Sequence, residues 1–135
     1  MIFFCITMLI FLLIAFQVKH FLADFILQTP YQYTNKGKFL HLGGILHAFI
    51  HGFFTSIIAL CVNDDVIYIL SLGLLDMFLH YTIDLIKTQF TQKRQYATTI
   101  MSNVVIKSNK YFIALGLDQL AHQLCYIFFV FCLIY

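Results

Sequence analysis

The stretch 74-LLDMFLHYTID-84 lies inside a run that otherwise has the composition of a lipid-soluble helix. Asp76, His80 and Asp84 recur there at every fourth position. On a helix, residues four apart differ by about 40° in azimuth and about 6 Å in height, so the three form one polar stripe. An Asp near the centre of a membrane helix costs about 2.5–3.5 kcal/mol on insertion scales. Groups placed this way need partners, and the partners must come from other helices.

The surrounding composition identifies the solvent. Of 135 residues, 61% are hydrophobic and 10% charged, and the mean hydropathy is +0.88. A water-soluble domain carries about a quarter of its residues as charges, so a bilayer is the expected medium. The length suits a single domain, 1–135, with four spans of about 20 residues each. The apolar runs predict spans at about 2–27, 39–62, 66–90 and 111–135, joined by "QTPYQYTNKGK", by "NDD" at 63–65, and by a polar connection over 91–110. Within that connection, "IMSNVVI" is too short to span and suits an interfacial turn or short strand. Pro30, Asn35 and Gly37 supply turn chemistry in the first connection. The first run lacks a basic leader and a small-residue cleavage site, which predicts a retained helix rather than a cleaved signal peptide.

A net charge of +2, with no basic helix and no Gly-rich phosphate loop, argues against nucleic acid as a partner. Cys5, Cys61, Cys125 and Cys132 stand singly in apolar segments and read as buried hydrophobes. Lysines and the one arginine gather in the first and third connections, whereas the second offers only Asp64 and Asp65. By the positive-inside rule the basic connections are cytoplasmic and both termini lie outside, the orientation expected in a bacterial inner membrane.

The stripe has company on every other span. Span one carries His20 and Asp24, span two His47 and His51, and span four Asp118 and His122, each pair four apart. Random placement of six His and six Asp over 135 positions gives about one such pair by simple counting; five occur when Asp76–His80 and His80–Asp84 are counted separately. Each pair lies roughly 8–16 Å from its cytoplasmic helix end at 1.5 Å per residue. The expected fold is therefore an all-α integral membrane four-helix bundle with a polar His/Asp cluster in its cytoplasmic half.

Imidazoles and carboxylates at one level suit divalent metal. His20, Asp24, His47, His51, His80, Asp84, Asp118 and His122 offer up to eight donors, and two divalent ions nearly match the three or four carboxylates, so a dinuclear site is expected. The mixed N/O set suits Zn, Fe or Mn without choosing among them. Metal pairs in four-helix bundles are usually built on Glu and Glu-x-x-His, a pattern this Asp-based spacing departs from. Asp76 is deeper and suits either a ligand or a partner of a ligating His. Gln28 and Gln119 flank the cluster and suit orientation of ligands. Lys87 suits snorkelling to the headgroups or, with Lys36 and Lys38, contact with an anionic headgroup. Gly43, Gly44 and Gly52 suit close helix packing.

The ordered set "HFLADFILQT", "HAFIHG", "LHYTIDLIK" and "LDQLAHQL" resembles a family of small bacterial and phage membrane proteins catalogued as a domain of unknown function, numbered three-three-zero-seven. The resemblance covers nearly the whole chain and implies a shared fold. It supports His20, Asp24, Gln28, His47, His51, His80, Asp84, Lys87, Asp118 and His122 as pattern positions, and it implies no reaction.

The expected activity is that of a metal-dependent hydrolase acting on a lipid or membrane-associated substrate, with Asp24 or Asp118 as general base. A divalent-cation or proton transporter uses similar residues, but the outer halves of the spans, as in "FFTSIIALCV", offer almost no polar path. A structural or accessory subunit, with polar pairs fixing helix register, is the third class. The bilayer is the expected partner in each case, and homo-oligomers are compatible with all three.

Overall fold

The three-dimensional structure is a computed structural model that describes residues 2–93, 99–101, 104–106 and 109–134. Helix α1 (Ile2–Phe21) runs on through a π-helical turn, Leu22–Ile26, and is followed by a short helix α2 (Pro30–Asn35). Then come α3 (Leu42–Leu60), α4 (Val66–Lys93), strands β1 (Thr99–Met101) and β2 (Val104–Ile106), and α5 (Asn109–Ile134). Four segments are long and apolar enough to cross a bilayer: Phe3–Ile26, Leu42–Leu60, Val66–Thr91 and Asn109–Ile134. The chain is a multi-pass membrane protein built as a four-helix bundle.

Large apolar side chains are exposed along every span, among them Ile14, Phe53, Phe78 and Phe131. That surface is what hydrocarbon as solvent requires, and it leaves the bundle interior to hold the polar groups. The interior is divided by level. Leu12 and Phe16 of α1 pack with Ile58 and Ala59 late in α3, Ile69 and Leu72 early in α4, and Tyr126, Phe129 and Val130 late in α5. Phe16 stacks on Tyr126 and Phe129, with centroids 5.4 and 6.0 Å apart. Successive spans therefore run antiparallel. The dry half of the core lies toward the N-terminus and the 63–65 connection, and the His/Asp cluster fills the other half.

Local chemistry sets the helix ends. Extended His41 (φ −77°, ψ 136°) caps α3 by accepting the Gly43 N–H at Nδ1, 3.1 Å away. The second span thus starts at Leu42 rather than at Phe39. Asp65 Oδ1 accepts the N–H groups of Ile67 and Tyr68 at 2.9 and 3.2 Å, which starts α4. The first connection holds a helix where the sequence suggested only a turn. Thr29 and Gln32 cap each other's backbone reciprocally and Pro30 stands at the first helical turn. In the polar connection, β1 and β2 pair antiparallel with Thr99 opposite Ile106 and Met101 opposite Val104, the short-strand alternative for "IMSNVVI". Residues 94–98, 102–103 and 107–108, with Arg94 and Lys107 of the basic connection, lie outside the described residues.

α3 and α4 approach closely where Gly52 faces Gly73. A Cβ on Gly73 would collide with the Ser56 hydroxyl and stand 2.8 Å from the Gly52 carbonyl oxygen, and one on Gly52 would meet the Gly73 carbonyl. Gly52→Val should therefore push the helices apart and lower stability by about 1–3 kcal/mol, the usual cost of overpacking. Thermal unfolding in detergent checks this: a melting curve unchanged from native would show that the contact tolerates a side chain.

Candidate functional site

Each span delivers its polar side chains to one level. His20 comes from the last turn of α1, and Asp24 from the π-helical turn, marked by the Leu27 N–H donating to the Leu22 carbonyl five residues back at 2.9 Å. A π turn of this kind re-aims the side chains that follow it. α3 gives His47 and His51, α4 gives His80 and Asp84, and α5 gives Asp118 and His122. All but Asp24, which is partly exposed, are buried.

Asp24 is the centre of the arrangement. Its Oδ1 lies 3.0 Å from His51 Nε2, 3.1 Å from His47 Nε2 and 3.8 Å from His80 Nε2. His47 Nε2 and His80 Nε2 are 3.3 Å apart. Ligand bonds of about 2.0–2.1 Å in a tetrahedron place donor atoms about 3.3–3.4 Å from one another; the four separations here run from 3.0 to 3.8 Å, within reach of one ion. A second group, His80, Asp84 and His122, shares His80 with the first; in each group the ligand atoms lie within 4.8 Å of one another. The rings are layered, with His51 and His80 stacked at 3.4 Å and His80 and His122 at 4.1 Å between centroids.

Several buried polar atoms of these residues have no hydrogen-bond partner: His51 Nδ1, His80 Nδ1, Asp84 Oδ2, Asp118 Oδ1 and His122 Nε2. An unsatisfied buried polar atom costs about 1–3 kcal/mol. These atoms are all of ligating type, so the residues present fit a bound cation.

Not every expected donor joins these groups. His20 turns to Tyr126, its Nδ1 2.7 Å from the hydroxyl, and to Gln119 Oε1, 3.0 Å from Nε2, while Asp24 Oδ2 is 3.3 Å from Nε2. Asp118 pairs with Lys87 at 3.4 Å and stands 3.7 Å from His122. Gln28 lays its amide nitrogen 3.0 and 3.2 Å from the two ring nitrogens of His47. Gln28 and Gln119 thus both touch imidazoles of the cluster. Asp76 partners no histidine. It is ion-paired with Lys19 and accepts the Thr55 hydroxyl at 2.7 Å, because Lys19 in the same layer needs a counter-ion more than an imidazole does.

The lysines also differ from expectation. Lys36 is buried, with its Nζ 3.0 Å from Asp84 Oδ1, and Lys87 turns to Asp118 instead of reaching outward. Lys38 alone of the three stays at the surface, 2.7 Å from Asn35 Oδ1. Lys19 and Tyr126 are central residues that the period-four pattern does not reveal. The available signal for Lys19 was a single cation inside the first apolar run, which in hydrocarbon requires an acid nearby.

Fold and site together define a polytopic membrane helix bundle with a buried His/Asp centre able to hold a metal ion. Residues 8–135 match the family described as "Protein of unknown function (DUF3307)", and the chain belongs to that family. No curated protein and no solved structure gives a significant match.

Proposed function

We propose that Asp24, His47, His51 and His80 hold one divalent transition-metal ion, and that the protein is a metal-dependent hydrolase acting on a lipid or membrane-associated substrate. The observation that carries this reading is the convergence, within 4.8 Å of one another, of four ligand atoms drawn from three different spans. Charge supports one ion rather than two. Of the four carboxylates Asp24, Asp76, Asp84 and Asp118, three already face a lysine, namely Lys19, Lys36 and Lys87. Only Asp24 depends on imidazoles alone. The second group shares His80, so its residues would offer the same ion an alternative seat.

A metal bound there would supply a Lewis acid that activates water for attack on an ester or phosphoester. The chain's own residues would do the rest. Asp118 lies outside the four-residue group with Oδ1 free of hydrogen bonds and 3.7 Å from His122 Nε2, so general-base work falls to it rather than to Asp24. Lys87 holds it in place through Oδ2. Gln28 and Gln119 orient His47 and His20. A conduit is less well supported, because the core from Leu12 to Val130 closes the opposite half of the bundle with apolar side chains. The cluster lies instead in the half of the bundle nearer the α1–α3 and α4–α5 connections, which the basic residues would place in the cytoplasm of a bacterial inner-membrane protein.

Elemental analysis of detergent-purified protein, prepared without chelators, tests the metal reading. Native protein should carry stoichiometric metal and the His47→Ala, His80→Ala double variant should carry none. Metal-free native protein would leave only a structural role for the cluster. The hydrolase reading is tested by incubating metal-loaded protein with phospholipid vesicles. Asp118→Asn should retain metal and release at least about 100-fold less product, the usual contribution of a general base; absence of any product from native protein on all headgroups tried would overturn it.

A further inference from the structure

The faces of α4 and α5 do not close on each other near the site. On α4, Ile83, Ile86 and Phe90 flank Lys87, and on α5 the small Ala114 and Ala121 flank Asp118. Between them lies a cleft of about 290 Å³, lined almost wholly by apolar atoms, with Lys87 and Asp118 as its only charged residues among those described. Its volume is at the lower end of ligand pockets, suited to a length of one hydrocarbon chain rather than to a folded ligand.

Depth and charge say what occupies it. Counting 1.5 Å per residue from Val66, a hydrocarbon core of about 30 Å ends near Ile86, so Lys87 stands where lipid phosphates begin. The Lys87 side chain retains 19% exposure, against 3% for that of Asp118. The Lys87 side chain therefore meets the cleft first, and the ion pair leaves its ammonium with further N–H donors. Asp118 is buried behind it, with Oδ1 lacking any hydrogen-bond partner. The polar end of the cleft thus offers donors for an anion, with Asp118 and His122 enclosed behind it.

We propose that the α4–α5 cleft binds a bilayer phospholipid with an anionic headgroup, one acyl chain lying between the two helices and the phosphate on Lys87. This deepens the hydrolase reading by giving its substrate class and its lateral route of entry, and it rests on that reading only for the chemistry, not for the binding.

The chain has no tryptophan, so a single one reports cleanly. Leu117 lines the cleft, and Leu46 is exposed on α3 away from it. Leu117→Trp protein in vesicles containing brominated phosphatidylglycerol or brominated phosphatidylcholine should be quenched at lower mole fraction by the former. The expected selectivity is about fivefold, the effect of one basic side chain on an anionic lipid. Leu46→Trp should show none, and Lys87→Gln should abolish it in the Leu117→Trp background while Lys87→Arg keeps it. Equal quenching by both lipids, or selectivity that survives Lys87→Gln, overturns the proposal by reducing the cleft to ordinary lipid contact. Repeating the titration with metal chelated separates the two ideas: selectivity retained in protein that never binds metal upholds the lipid site and removes only the metal centre.

Discussion

His80→Ala should strip the protein of bound metal, while His122→Ala should leave it one ion per chain. His80 belongs to both donor groups and sits between the rings of His51 and His122. Its removal leaves three donors at Asp24, His47 and His51, and cuts the second group to Asp84 and His122. Losing an outer partner of a ligand already costs about 10–100-fold in metal affinity, so loss of a ligand itself should weaken binding by more than about 100-fold. His122→Ala touches only the second group. Elemental analysis with chelator competition reads both variants. Two ions in native protein and one in His122→Ala would establish a pair and overturn the charge argument for a single ion. Full metal content in His80→Ala would move the centre elsewhere.

Spans and cluster are written in the sequence, whereas the pairing of its charges is not. The spans were legible because hydrocarbon tolerates few exceptions, and an apolar run of about 20 residues has few other uses. The cluster was legible because polar pairs four apart on four helices share a level, and a bundle has only one interior. His47, His51 and His80 meet Asp24 for that reason. The lysines were a different matter. Lys36 and Lys87 lie near helix ends, where a long flexible side chain can point to water or inward, and only the tertiary structure shows them turned onto Asp84 and Asp118. Once they are paired, the surplus negative charge that called for two cations shrinks to Asp24. The π turn was equally hidden, since an i→i+5 ring leaves no mark in hydrophobic periodicity. Helix α2 was not hidden: Thr29, Pro30 and Gln32 spell a capping box, but the eye goes to Pro and Gly as turn residues.

The second large effect is expected one layer deeper. Lys19 and Asp76 form a buried ion pair, with the Lys19 ammonium 4.6 Å from the centre of the Tyr126 ring and the Thr55 hydroxyl on Asp76. Removing one member of a buried pair leaves the other charge without compensation, at a cost of about 3–5 kcal/mol, whereas replacing both with apolar residues of similar volume is often neutral or stabilising. Lys19→Met should therefore lower the unfolding temperature in detergent markedly, and adding Asp76→Leu should restore it. Neither residue belongs to the donor groups, so the double variant should bind metal like the native protein. The comparison has diagnostic value because Tyr126 lies between the layers, its ring under Lys19 and its hydroxyl on His20. If the double variant regains stability but not metal, Lys19 positions His20 through that ring and the two layers act as one unit. If Lys19→Met is as stable as native protein, the pair contributes nothing to the fold, and a charge costly to bury must be kept there for chemistry.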